Sequence, residues 1–144
     1  MERLLALKQI PLFSHLSLEQ LEAVNRIAKE VVCLPDEVIV QEGDPGGELY
    51  LLIEGQVRVI KNYGLPDETE LTPMSALSYF GEMAVLDGAP RSATNVAVGR
   101  PRLLSLDGES LKELILEMPE IAFVILRVLT QRLRKAEAAR PGGQ

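Results

Sequence analysis

The run Phe80-Gly81-Glu82-Met83-Ala84-Val85-Leu86, followed by Ala89-Pro90-Arg91-Ser92-Ala93-Thr94, holds side chains suited to gripping a small phosphate ester. A glycine that opens a short helical turn leaves backbone N–H groups without intrahelical partners, and their dipoles favour an anion there. Gly81 supplies that opening, and Met83 and Ala84 continue the turn. Glu82 projects from it as a fixed acceptor suited to a sugar hydroxyl. Arg91 returns after a loop with a planar fork of donors that matches a phosphate edge, and the small Ser92-Ala93 pair lets further backbone N–H groups approach the same anion. Singly, these residues fit a turn glycine and an exposed ion pair of little worth. Together with Pro90 and the flanking apolar residues, they describe a pocket for one small cyclic nucleotide.

Chemistry beyond binding finds little material. His15 is the only histidine, so a multi-histidine metal site is excluded, and the serines sit in no nucleophile-elbow pattern. The expectation is therefore a protein without catalysis, metal or cofactor. A formal net charge of −6 argues against direct contact with nucleic acid, and aromatic residues at 4% leave few stacking platforms. Cys33 is the only cysteine and lies in the apolar run Val31-Val32-Cys33-Leu34, which reads as a buried thiol in a reducing compartment. Leu4-Leu5-Ala6-Leu7 is cut short by Lys8, so neither a secretory signal nor a membrane span is expected, and the location expected is cytoplasmic.

The 144 residues suffice for one domain with its own core. Residues 1–30 carry helical signals: Ser17 and Gln20 have capping-box spacing, and Leu18, Leu21, Val24 and Ile27 recur along one face. From 31 to 106 the pattern changes to short apolar runs broken by Gly, Pro, Asp and Asn, predicting strands over 31–34, 38–41, 48–53, 56–61, 68–71, 95–98 and 102–106. Many short antiparallel strands with flanking helices imply a mainly β fold, a jelly roll. Asp107 reads as the N-cap of a helix reaching Leu116, and Pro119 restarts a longer one to about residue 139. That last helix carries two apolar stripes, Ile121-Val124-Ile125-Val128 and Ala122-Leu126-Leu129-Leu133-Ala136. Either both bury within one subunit, or the second pairs two copies in a parallel homodimer. Residues 140–144 read as a tail or the start of a linker.

The cassette at 80–94, with Val38-Ile39-Val40-Gln41-Glu42-Gly43-Asp44 and Glu48-Leu49-Tyr50-Leu51-Leu52-Ile53-Glu54-Gly55-Gln56-Val57-Arg58-Val59, resembles the cyclic nucleotide-binding domain family over nearly the whole chain. The resemblance implies backbone groups of Gly81, Ser92 and Ala93 and the Arg91 side chain on the phosphate, with Glu82 on the ribose 2′-OH. It also places Leu71 and Thr72 near sugar and base, and the C-terminal helix over the base, with Ala136 and Glu137 near the cap. Glu137 could equally be a solvated charge. The ligand implied is cAMP, with cGMP close behind because Ala136 lacks a hydroxyl and Ser92 could assist a syn guanine. The family often has a glycine-rich turn before the aromatic-Phe-Gly-Glu; this chain has Met74-Ser75-Ala76-Leu77-Ser78-Tyr79 instead, which puts that turn in question. A ligand-responsive module of a signalling or transcriptional regulator is the function implied, and a ligand-free interaction scaffold is the alternative.

Overall fold

The computed structural model describes residues 2–139, apart from the side chain of Met83. The tail read at 140–144 lies outside the described residues. In chain order the elements are helix α1 (Glu2–Gln9), a 3-10 turn (Pro11–Phe13), α2 (Leu18–Ile27), strands β1 (Ala28–Val32), β2 (Val38–Val40), β3 (Glu48–Lys61), β4 (Thr69–Ser75) and β5 (Ser78–Phe80), then α3 (Glu82–Asp87), β6 (Thr94–Asp107), α4 (Gly108–Glu117) and α5 (Glu120–Ala138). The strands form one antiparallel six-stranded sheet in the order β1-β6-β3-β4, with β2 also on β6 and β5 also on β3. This is the mainly β roll with flanking helices that the alternating apolar runs imply.

Alternation along β3 and β6 divides the core in two. Leu49, Leu51 and Ile53 of β3, with Leu104 and Leu106 of β6, face the helices and bury against Leu7, Phe13, Val24, Ile121 and their neighbours. Leu52, Val57, Ala97 and Leu103 point the other way, into the roll, with Phe80 and Cys33. Side chains on a strand switch face at each residue, so one strand can serve both layers.

Local signals act as the sequence predicts at the helix starts. The Ser17 hydroxyl accepts from the Gln20 backbone N–H at 3.2 Å while the Ser17 N–H donates to Gln20 Oε1 at 2.9 Å, and Asp107 Oδ2 accepts from the Ser110 N–H at 3.2 Å. The strand boundaries differ. The runs 48–53 and 56–61 are one strand that shifts register on β6 between Leu52 and Gln56, and 95–98 and 102–106 likewise join as β6. β1 begins at Ala28 rather than 31, directly after α2, because its register with Leu106 starts there. β5 was not anticipated. It follows a turn built without glycine: Leu77 takes a left-handed φ of 66°, and its N–H donates to the Leu52 carbonyl at 2.7 Å. That hydrogen bond and the Ser78 hydroxyl on the Ser75 carbonyl offset the local strain.

The first stripe of α5 buries on the chain's own core, with Ile121 fully enclosed and Ile125 and Val128 nearly so. The second leaves Leu126 and Leu133 exposed beside Phe123. Leu104 and its register partner Leu51 are both fully buried. Leu104→Ala should therefore cost about 2–5 kcal/mol in urea unfolding; a loss below about 1 kcal/mol would mean that this face is not tightly packed.

Candidate functional site

The turn after β5 and the start of β6 meet around one guanidinium. Arg91 is only 6% exposed. Its Nη2 donates to the Glu48 carbonyl at 3.0 Å and its Nη1 to the Gly81 carbonyl at 3.5 Å, while its Cζ lies 5.8 Å from the centre of the Tyr50 ring. Tyr50 is itself stacked on Phe80 at 5.2 Å, so the aromatic wall is fixed from behind. The Glu48 carboxylate, 3.8 Å away and half exposed, is the nearest counter-charge. Two backbone hydrogen bonds, Arg91 N–H to the Asp44 carbonyl and Gly43 N–H to the Arg91 carbonyl, both 2.9 Å, pin the residue to the loop between β2 and β3.

Two glycines make the slot for that side chain. A Cβ on Gly81 would lie 2.3 Å from Arg91 Nη1, at a φ of +90° that side chains resist. One on Gly46 would lie 2.3 Å from the Ala84 Cβ and 2.9 Å from Arg91 Nε. Gly46 is a positioning residue that the motif reading missed, since its contacts are across the fold rather than along the chain.

Ser92 and Ala93 follow Arg91 along the same wall. Lys61 donates from Nζ to the Ser92 carbonyl at 2.6 Å and stands 3.6 Å from Glu42, whose own N–H donates to the Thr94 hydroxyl at 3.0 Å. These contacts hold the peptide units at 92–94 from outside, leaving the cavity side free for a ligand.

Glu82, in the first turn of α3, faces Arg132 of α5 across 3.7 Å. Arg132 also donates to the Tyr79 hydroxyl and lies over that ring, with its Cζ 5.3 Å from the centre. Burial raises the Tyr79 phenol above its ordinary pKa against the opposing pull of Arg132, which keeps it neutral at physiological pH. Arg132 is the second residue the motif reading missed. A sequence signal exists: position 132 shares the helical face of the buried Ile125 and Val128. Glu137 is five residues further on, roughly 140° around the helix, and is exposed.

Gly81, Glu82, Ala84, Arg91, Ser92 and Ala93 line a common cavity of 280 Å³, close to the lower end of the about 300–1,000 Å³ usual for small-molecule sites. Val59, Met74 and Asn95 extend it away from Arg91, and Arg132 closes it from α5. The side chain of Met83 lies outside the described ones. Leu71, Thr72 and Glu137 are not in the wall; Leu71 pairs with the lining Val59 across β3 and β4 and is 44% exposed, so it stands behind the rim. A buried cation, a carboxylate and small residues around one concave space can hold an anion bearing a hydroxyl.

A family model described as the cyclic nucleotide-binding domain matches residues 30–118. The chain is 35% identical over 97 residues to the CRP-like cAMP-activated global transcriptional regulator of Mycobacterium tuberculosis, a match covering 67% of this chain and 43% of that protein. It is 33% identical over 130 residues to a cyclic nucleotide-gated potassium channel of Mesorhizobium japonicum, covering 90% of this chain and 35% of the channel. The chain thus spans less than half the length of these two relatives. Among solved structures, the N-terminal domain of a transcriptional regulator from Streptomyces coelicolor superposes with a TM-score of 0.83 at 32% identity, covering 93% of this chain and 94% of that one. The matched motif, the roll and the likeness to regulators and channels agree: the chain belongs to the cyclic nucleotide-binding domain family.

Proposed function

We propose that the chain is the sensor of a cytoplasmic signalling or transcriptional regulator, binding cAMP in preference to cGMP and performing no catalysis itself. The observation that carries this reading is the convergence of Arg91 and Glu82 on one cavity beside the small Ser92-Ala93 pair. The backbone N–H groups of Gly81, Met83 and Ala84 and of Ser92 and Ala93 would meet the exocyclic phosphate oxygens, and Arg91 would neutralise their charge. Glu82 would accept from the ribose 2′-OH. Leu71 and Thr72 would border the open side where sugar and base emerge. Glu137 has weaker support, because it sits on another face of α5 from Arg132.

The preference for cAMP draws on the relative named as cAMP-activated. Ligand entering beside Glu82 meets the Arg132 contact, so occupancy of the site biases where α5 lies; a ligand shifts such an equilibrium only through its different affinity for the two states. The exposed stripe of Phe123, Leu126 and Leu133 supports pairing of two chains through α5. The net charge of −6 supports an output carried by other segments or partners rather than direct contact of this chain with nucleic acid.

Calorimetric titration with cAMP and cGMP tests the reading directly, and failure of both to bind at millimolar concentration would overturn it. Arg91→Ala should weaken cAMP binding about ten- to a hundredfold, the worth of a charge-assisted contact; unchanged affinity would refute the phosphate assignment. Glu82→Ala and removal of the 2′-OH from the ligand should each lower affinity, and in combination should cost little more than either alone. Fully additive losses would show that the two groups do not meet. Leu133→Glu should shift a dimer towards monomer in sedimentation velocity, whereas a wild-type chain that is already monomeric at tens of micromolar would defeat pairing through α5.

A further inference from the structure

Arg91, Thr94 and Asn95 are the buried polar side chains among the described residues. Two of them have firm local partners: Arg91 donates to the Glu48 carbonyl at 3.0 Å and lies over the Tyr50 ring, and the Thr94 hydroxyl accepts from the Glu42 N–H at 3.0 Å. Asn95 does not. It is 7% exposed, and its carboxamide makes one contact among the described residues, Nδ2 to the Arg58 carbonyl at 3.5 Å, the longest distance at which such a bond counts. Reversing the amide would put two oxygens together, so the nitrogen belongs on that side. Oδ1 and the second N–H are then left over. Oδ1 is not sealed off by protein, so both open valences are available to whatever occupies the adjoining space.

That space lies on the cavity side. Ala93, in the bend just before β6, and Asn95, on β6, are both in the cavity wall, whereas Thr94 between them turns to Glu42. Asn95 is paired with Val59, which is also in the wall, and Met74 borders the same end. Two steps along the chain carry Asn95 at most about 7 Å beyond Ala93 and the phosphate-facing groups. The chemistry there differs from that around Arg91. Val59 and Met74 offer apolar surfaces suited to the faces of a flat heteroaromatic ring, and the carboxamide offers one acceptor and one free donor to the ring's edge.

We propose that Asn95 is a specificity-determining residue that reads the base of the bound nucleotide. This rests on the cyclic-nucleotide reading of the site. An asparagine carboxamide matches the adenine edge bidentately, accepting from the exocyclic amine and donating to N7. Guanine presents two acceptors at that edge, O6 and N7, so Oδ1 would face another oxygen. The residue thereby gives a physical basis for choosing adenine over guanine inside the roll, independent of α5.

The test titrates wild type, Asn95→Val and Asn95→Thr with cAMP, cGMP and the 3′,5′-cyclic monophosphate of unsubstituted purine riboside, which lacks the amine. Asn95→Val should weaken cAMP binding roughly tenfold or more, with the other two ligands changing by less than about threefold. The unliganded variant should melt close to the wild-type temperature, since the side chain removed makes one long hydrogen bond. A loss of affinity without a loss of stability separates ligand contact from a structural role. Asn95→Thr keeps the strand shape and serves if the valine variant fails to fold; it too should lose cAMP affinity selectively. Wild type that binds cAMP while both variants keep the same ratio among the three ligands overturns the assignment of Asn95 alone. Wild type that binds none of the three overturns the cyclic-nucleotide reading, and this inference with it.

Discussion

The structure around the site depends on keeping one guanidinium dry. Burying a charge costs several kcal/mol in lost hydration unless nearby groups compensate, and Arg91 meets two backbone carbonyls, an aromatic face and a half-exposed carboxylate. The partners come from two segments far apart in the chain: Glu48 and Tyr50 lie at the start of β3, and Gly81 closes the turn after β5. The side chain therefore ties the cassette to the sheet while its charge stays available on the cavity side. Carbonyl dipoles orient a cation without neutralising it, which leaves room for an anion to finish the arrangement.

The same logic explains the shape of the surrounding chain. Gly46 and Gly81 are spaces as much as residues, since a methyl at either would collide with Arg91 or with Ala84. Lys61, Glu42 and Thr94 form a small polar brace behind residues 92–94, outside the cavity, where it can set backbone direction without competing for ligand. On the α5 side, the Arg132–Glu82 pair has one member more than half exposed. Such pairs are weak, so the grip of Arg132 on Glu82 is light, and α5 is held chiefly by the buried Ile121, Ile125 and Val128.

What the sequence makes legible is what neighbours along the chain decide. The cassette, the Ser17–Gln20 capping box and the Asp107 cap are each specified by residues within a few positions, and all take the predicted local form. The class of fold follows from apolar alternation in the same way. Features fixed across the fold are hidden: β3 and β6 continue through a register shift where the sequence suggests four separate strands, and Leu77 adopts a glycine-like conformation because Leu52 supplies a hydrogen-bond acceptor far away in sequence. Arg132 stands among other basic residues near the end of α5, and only its place on the face of Ile125 and Val128 brings it to Glu82, while Glu137 lies on another face. Asn95 follows a threonine and precedes an apolar run, so nothing local marks its side chain as facing a cavity.

The pairing of β3 with β6 joins Glu48 to Asp107 and Ile60 to Thr94, contacts that span long stretches of chain. Contacts of this kind form slowly, because loop closure must precede any gain from the sheet. During synthesis a growing polypeptide that stops short of residue 94 already contains Gly81 and Glu82, but it has no β6 against which β1, β2 and β3 can assemble. Nascent fragments thus lack a complete cavity, since Ala93 and Asn95 belong to its wall, until the final long strand has left the ribosome.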